Sequence, residues 1–314
     1  MTKSLLFRRQ TLRGALPFIT LVIILIAIFY MQPRSMSYFG INLLFKLTVP
    51  LALATLAQMF VITGNDLDLS TGSYVSLIAC IGATLLLTTP LLGILAIAVC
   101  ILGYAAMGAL VHLRNLPSII VTLGMSFVWQ GAALILLPTP GGEAPGWLTT
   151  LMQFRAPLIP TPIIFAIVIS VIAHLFLMRS AYGVILRGLG GNMKAINRAG
   201  WSTLRGKMAL FILTGVFGAL SGLALVGITT SADANIALRY TLLSIAGVIL
   251  GGGEFVGGRV SPIGAVVGAM TLAVAGSLLT FLRIPPDWQI GAQGAILIIV
   301  LSLRVLINRV SRGR

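Results

Sequence analysis

The sequence predicts an all-α membrane protein, a bundle of about ten transmembrane helices of which some are short or broken. Three observations lead there. Of 314 residues, 58% are hydrophobic, and only 9% are charged, against roughly 25% in soluble domains. The few charges also leave long apolar stretches between them. Such a balance excludes a soluble globular domain.

The charge-free stretches run over 15–33, 47–65, 69–113, 115–142, 156–178, 208–232, 240–253, 260–282 and 288–303. A hydrocarbon core of about 30 Å takes roughly 20 helical residues, so most of these are single spans. As one helix, 69–113 would be roughly 68 Å long. It must fold back, and Thr88-Thr89-Pro90 is the expected turn, because proline cannot continue a helix interior. The spans then number ten. Segment 240–253 has 14 residues and fits a re-entrant or broken helix as well as a full crossing.

The net charge of +15 comes from 21 Lys and Arg against six Asp and Glu. Nucleic acid, acidic surfaces and the cytoplasmic membrane face all fit such an excess, so its location decides. With an internal N-terminus and ten crossings, Arg34, Lys46, Arg155, Arg239 and Arg283 lie outside and the remaining 16 basic residues inside. If 240–253 did not cross, the split would fall to about 12 against 9. The asymmetry selects ten spans with both termini cytoplasmic, and it sets nucleic acid aside in favour of membrane lipids.

Arg8, Arg9 and Arg13 before the apolar run Leu16 to Tyr30 resemble a secretory leader, but the exit Tyr30-Met31-Gln32-Pro33-Arg34 lacks small-residue cleavage chemistry. The run reads as a retained first span. Cys80 and Cys100 have no Cys-x-x-Cys spacing and read as packing thiols; His112 and His174 sit near span ends. No metal or bound cofactor is expected. Gly218/Gly222, Gly247/Gly251 and Gly264/Gly268 are each four apart in apolar stretches, the spacing that lets helix backbones approach closely.

The connections separate into four regions. In the external loop 138–160, Trp147, Leu148, Leu151, Met152 and Phe154 predict a short amphipathic turn in the interface, or a surface for an external partner. The internal loop 179–207 is the longest on its side and holds six basic residues. Within it Gly190-Gly191-Asn192 to Gly200-Trp201 is punctuated as one short helix, with Asn192 as N-cap and Gly200 as the left-handed residue after its end. Met193 and Ile196 share one face, Lys194 and Arg198 another, and Ala195 lies between them. A two-turn helix is marginal in water, so it either docks on a partner or belongs to a loop that only anchors topology.

The third region, Gly64 to Ser73, places Asn65, Asp66, Asp68 and Ser70 beside apolar stretches. Carboxylates within hydrocarbon are costly and mark functional candidates, while Asp68 or Ser70 capping the next helix is the structural alternative. The fourth, Gly251-Gly252-Gly253-Glu254 to Pro262, is a second Gly-rich break with one acid, Glu254.

At these residues the sequence resembles the ribose-type branch of permease subunits of bacterial ABC importers, a group that also includes branched-chain amino-acid permeases. Val61 to Ser73 resembles that family's Gly-Gly-Ile-Asp-Leu-Ser-x-Gly-Ser segment, and Leu116 to Gly124 its Pro-Phe-Ile-Val-Thr-Leu-Gly stretch. Gly190-Gly191-Asn192 with Ala195 and Gly200 is similar to its Gly-Gly-Asn-x-x-Ala-x-x-x-x-Gly loop, and Ala246 to Gly258 to its Gly-rich segment. The resemblance implies a type II ABC importer-like bundle of about ten helices in the bacterial inner membrane. It also implies a second permease, two cytoplasmic ATPase subunits that use ATP and Mg, and a periplasmic solute-binding protein. Gly191, Asn192, Met193, Lys194, Ala195, Ile196, Arg198 and Gly200 would form the helix that couples to the ATPase. Two departures stand out, the second carboxylate in Asn65-Asp66-Leu67-Asp68 and the pair Glu254-Phe255.

The chain has no phosphate-binding loop of its own, since Gly206-Lys207 is followed by Met208. It is therefore expected to be a transport subunit without catalytic residues, driven by separate ATPases and carrying a small polar solute such as a sugar. The rival is a secondary transporter in which Asp66 and Asp68 couple to an ion or proton gradient. An intramembrane enzyme would need a nucleophile with a base, or converging metal ligands, and the sequence supplies neither.

Overall fold

The computed structural model describes residues 2–285 and a few isolated positions from 288 to 298. The described residues are 77% helical, with no strand among them. It opens with α1 (Thr2–Met31), whose apolar part Pro17–Met31 leads through a tight turn at Pro33–Met36. Next come α2 (Tyr38–Lys46), capped by the Ser37 hydroxyl, and α3 (Thr48–Thr63), separated only at Leu47. Together they make one apolar run of 26 residues, Tyr38–Thr63.

That run corrects the sequence reading of the second span, which begins at Tyr38, with Lys46 inside it and not in an outer connection. The lysine is half-buried and lines a cleft of about 800 Å³ with Asn42, Gln153 and Arg155, and a long side chain there can keep its charge in water while its stem covers apolar surface.

The expected reversal within 69–113 is present. α4 (Thr71–Ala83) and the short α5 (Leu85–Thr88) end at Thr89, and Pro90 opens α6 (Pro90–Leu113). α7 (Ser118–Leu136) is followed by α8 (Gly146–Gln153), the amphipathic element anticipated in 138–160. Leu148 and Met152 of α8 press on Gly227, while Trp147, Leu151 and Phe154 stay exposed. α9 (Thr161–His174) closes in a wide turn at Leu175–Arg179, and α10 (Ala181–Arg198), α11 (Thr203–Thr229), α12 (Tyr240–Leu250) and α13 (Pro262–Phe281) complete the described helices.

Among the described residues, seven helical runs are long and apolar enough to cross a bilayer, and Pro17–Met31 and Tyr240–Leu250 are shorter apolar helices. The span expected over 288–303 falls largely outside the described residues. α3 is the axis of the bundle, buried at every residue from Thr48 to Thr63. Around it the outer helices turn Leu102, Phe127 and Ile135 outward, while Thr55, Gln58 and Asp68 are buried. Apolar outside and polar inside suits lipid as the surrounding medium. Cys80 and Cys100 are buried, unpaired thiols.

Two sets of contacts define the ends of the bundle. At one, Gly141 and Ala232 exchange N–H···O bonds of 2.9 Å, and the Glu143 N–H donates to the Ala83 carbonyl at 3.0 Å. At the other, residues 64–66, 187–190 and 257–258 meet. The chain from 232 to 257 therefore traverses the bundle, although α12 has only 11 residues, about 16 Å at 1.5 Å per residue. The turns at 231–239 cover the remaining depth beside α4. There the Ala237 N–H donates to the Ser76 hydroxyl at 3.0 Å, and the Gly72 N–H to the Thr241 hydroxyl at 2.9 Å. Segment 240–253 is thus the second half of a broken crossing.

α12 and α13 pack backbone to backbone. A Cβ built on Gly264 would lie 1.9 Å from the Gly251 carbonyl oxygen, and one on Gly268 2.2 Å from that of Gly247. The small-residue spacing read from sequence is the seam of this hairpin. Gly264→Ala is expected to destabilise the protein by about 1–3 kcal/mol through overpacking. Gly124→Ala, where a Cβ meets nothing within 4 Å, should change little. Unfolding in detergent, followed by tryptophan fluorescence, compares the two.

Candidate functional site

Between α3 and α4 the chain leaves helical structure over 64–70, surfacing at the exposed Asn65 and turning back so that Asp68 and Ser70 are buried. Gln58, five residues before the end of α3 and so about 7.5 Å inside it, lies level with Asp68. With its amide oriented to suit its partners, Gln58 donates to the Asp68 carbonyl at 3.0 Å and accepts from the Asp68 N–H at 3.1 Å. Non-helical backbone at such depth must be satisfied by protein groups. α7 supplies two of them, the Ser118 hydroxyl accepting from the Leu67 N–H at 3.1 Å and the Thr122 hydroxyl from the Leu69 N–H at 3.0 Å. The N–H groups of Gly64, Asn65 and Asp66 fold back onto the Val61 and Ile62 carbonyls, and that of Ser70 donates to the Asp68 carboxylate. Each of the seven N–H groups from Gly64 to Ser70 has an acceptor.

Asp68 is fully buried. One carboxylate oxygen accepts from the Ser70 N–H at 2.7 Å and the Ser70 hydroxyl at 2.6 Å. The other accepts from the Thr71 hydroxyl at 2.9 Å and the Tyr104 hydroxyl at 2.7 Å. Tyr104 is held in turn by Tyr74, ring centroids 4.7 Å apart, and by stacking on Trp129. Asp68 thus organises the start of α4, the structural alternative weighed for it.

Asp66, the additional carboxylate, pairs with Lys207, which also donates to the Gly64 carbonyl at 3.0 Å. Both side chains are about nine-tenths buried, at 10% and 6% exposure, and α11 is tied to the break through them. Asn65 has φ +61°, a left-handed conformation that Asn tolerates better than most residues. Its amide donates to the Gly190 carbonyl at 2.7 Å and accepts from the Gly257 N–H at 3.0 Å. Glu254 stands apart from this cluster. It is about half exposed, lies 3.6 Å from Arg259, and its N–H donates to the Arg259 carbonyl across the Gly-rich turn.

The loop helix is formed as its punctuation predicts. α10 kinks at Asn192, where φ is −155° and ψ 87°, and the Asn192 side chain accepts from the Ala195 N–H at 3.0 Å. Gly200 has φ +84°; its N–H bonds to the Asn197 carbonyl, and the Trp201 N–H to that of Ile196. Those two bonds make the Schellman ending. Met193 and Ile196 pack on the chain's own core, with Ile196 over Gly188, so the open face includes Lys194, Ala195, Asn197 and Arg198, with Gly191 and Asn192 exposed at the kink.

Sequence reasoning missed Gln58, Tyr104, Ser118, Thr122 and Lys207. Gln58 could have been found as the amide within a charge-free span, and Ser118 and Thr122 as hydroxyls four apart on one helix face. Nothing local marked Tyr104 or distinguished Lys207 from the other loop cations.

A family model described as branched-chain amino acid transport system / permease component matches residues 40–301. The chain belongs to this family. It is a multi-pass membrane permease, a transport subunit and not itself an enzyme. Among curated relatives, the ribose import permease protein of Bacillus subtilis is 28% identical, covering 91% of each chain. The galactose/methyl galactoside import permease protein of Escherichia coli is 27% identical over 91% of this chain and 92% of its own. The D-allose transport system permease protein of the same organism is 26% identical over 91% and 90%. No solved structure matches the permease.

Lys207→Met leaves Asp66 and the Gly64 carbonyl buried without their partner, and should cost about 3–5 kcal/mol. Lys207→Met combined with Asp66→Asn should recover part of that loss, and a double-mutant cycle in detergent unfolding reads the difference.

Proposed function

We propose that this permease forms the translocation pathway of an ATP-driven importer for a sugar. A periplasmic solute-binding protein delivers the sugar, and two cytoplasmic ATPase subunits, which bind the ATP and Mg, drive its passage. A second permease subunit completes the pathway, and the chain itself binds no cofactor. The observation that carries the reading is that relatives named for ribose, galactose and allose align over about nine-tenths of both chains. With 16 basic residues on one side against Arg34, Arg155, Arg239 and Arg283 on the other, the end of the bundle at Asn65 faces the cytoplasm of a bacterial cell.

The rival reading needs a carboxylate free to exchange ions. Asp66 is held by Lys207 and Asp68 by four donors, which disfavours either as a gradient-coupling group. In the proposed reading the helix Met193 to Arg198 docks on the ATPase through Lys194, Ala195 and Arg198. Closure of the ATPase dimer then rocks the spans through α10.

Vesicles with the purified permease, its ATPase and its binding protein should take up labelled D-ribose, D-galactose or D-allose only with ATP. Uptake by the permease alone under an imposed proton gradient would favour the secondary transporter. Gly200→Val and Ala195→Trp should insert normally and still support ATP hydrolysis, while uptake per ATP falls roughly tenfold, a coupling loss within the usual allosteric range.

A further inference from the structure

Three backbones meet at the cytoplasmic end of α3 without side chains between them. A Cβ on Gly190 would lie 2.1 Å from the Thr63 carbonyl oxygen and 2.9 Å from the Gly258 backbone. One on Gly258, where φ is +64°, would lie 2.2 Å from the Arg187 carbonyl oxygen. The first half of α10 is therefore seated directly on the end of α3 and on the Gly-rich turn. At this junction van der Waals contact alone resists compression but not separation or sliding.

Asn65 supplies the resistance to separation. Its carboxamide donates to the Gly190 carbonyl at 2.7 Å, two residues before the kink at Asn192, and accepts from the Gly257 N–H at 3.0 Å. One planar group thus ties α10 to the turn that leads from α12 into α13. Its own backbone is continuous with α3 on one side and with the Asp66–Asp68 break on the other. Asp66 and Lys207 extend the tie to α11.

We propose that Asn65 is the positioning residue of energy coupling, the latch by which a pull on the loop helix moves α3, the break before α4 and the Gly-rich turn together. This rests on the coupling role of the loop helix proposed above. A load applied to Met193–Arg198 reaches the kink first, then the Gly190 carbonyl, and Asn65 divides it between two broken crossings. Without the carboxamide α10 still touches both neighbours, but it can slide on the glycine surfaces and the load is lost.

Asn65→Gly tests this with little backbone cost, because glycine adopts the left-handed conformation freely and removes only the two side-chain bonds. Asn65→Asp keeps the acceptor for the Gly257 N–H and loses the donor to Gly190. In vesicles holding the full complex with its binding protein, with labelled D-ribose, D-galactose and D-allose as probes, Asn65→Gly should lower sugar moved per ATP at least about fivefold, the lower end of what two lost hydrogen bonds cost. ATP hydrolysis and thermal unfolding should stay near the parent's, and Asn65→Asp should fall between. Spin labels at Val184, on the first half of α10, and Val256, both exposed, should keep a fixed separation on ATP binding in the parent and a shifting one in Asn65→Gly.

An unchanged ratio of sugar to ATP, or loss of folding in Asn65→Gly, overturns the latch. Gly200→Val run alongside separates the two failures. If it uncouples while Asn65→Gly does not, the latch is wrong and the loop helix stands; if neither uncouples, the loop helix itself is wrong.

Discussion

A backbone that leaves the helix inside a membrane bundle must find a partner for every polar group, since neither water nor lipid supplies one. The stretch Gly64 to Ser70 meets this demand by recruiting its surroundings. Two hydroxyls come from α7, an amide from α3, a phenol from α6 and an ammonium from α11. Each recruitment fixes a helix in place. The arrangement of α4, α6, α7 and α11 around α3 therefore follows from the cost of leaving one short segment unsatisfied.

The four segments that carry the family resemblance are brought into contact by the same demand. The Pro117-Ser118 start of α7 supports the Asp68 segment, and the Asn65 side chain reaches both the Gly190 loop and the Gly-rich turn. Sequence separations of 125 and 192 residues collapse to single hydrogen bonds. The departures from the family pattern are treated differently. The added Asp66 is neutralised by a buried lysine, whereas Glu254 sits in a half-exposed surface pair, where an ion pair contributes little.

Much of the bundle was legible in the linear sequence because hydrophobic length and charge spacing are local properties. The reversal at Pro90, the amphipathic α8, the cap at Asn192 and the left-handed Gly200 each depend on a few adjacent residues. The start of the second span at Tyr38 was not legible, because Lys46 interrupts the charge-free count although the helix runs on past it. The short α12 was ambiguous for a related reason. Its other half is the irregular segment 231–239, whose path is held by Ser76 and by the close approach of Gly72 to its carbonyls.

By itself the sequence determined a polytopic α-helical chain, and it raised the expectations of a basic cytoplasmic side and of a loop that meets the motor. Composition and periodicity suffice for these, since a bilayer imposes one length and one polarity on every span. Only the tertiary structure decided what the charged and amide groups of the first break do. Which hydroxyls hold the Asp68 carboxylate, whether Asp66 is free or paired, and what Asn65 joins all depend on the folded arrangement, much of it supplied by helices distant in sequence. Hydrogen bonds act over about 3 Å of space whatever the separation along the chain.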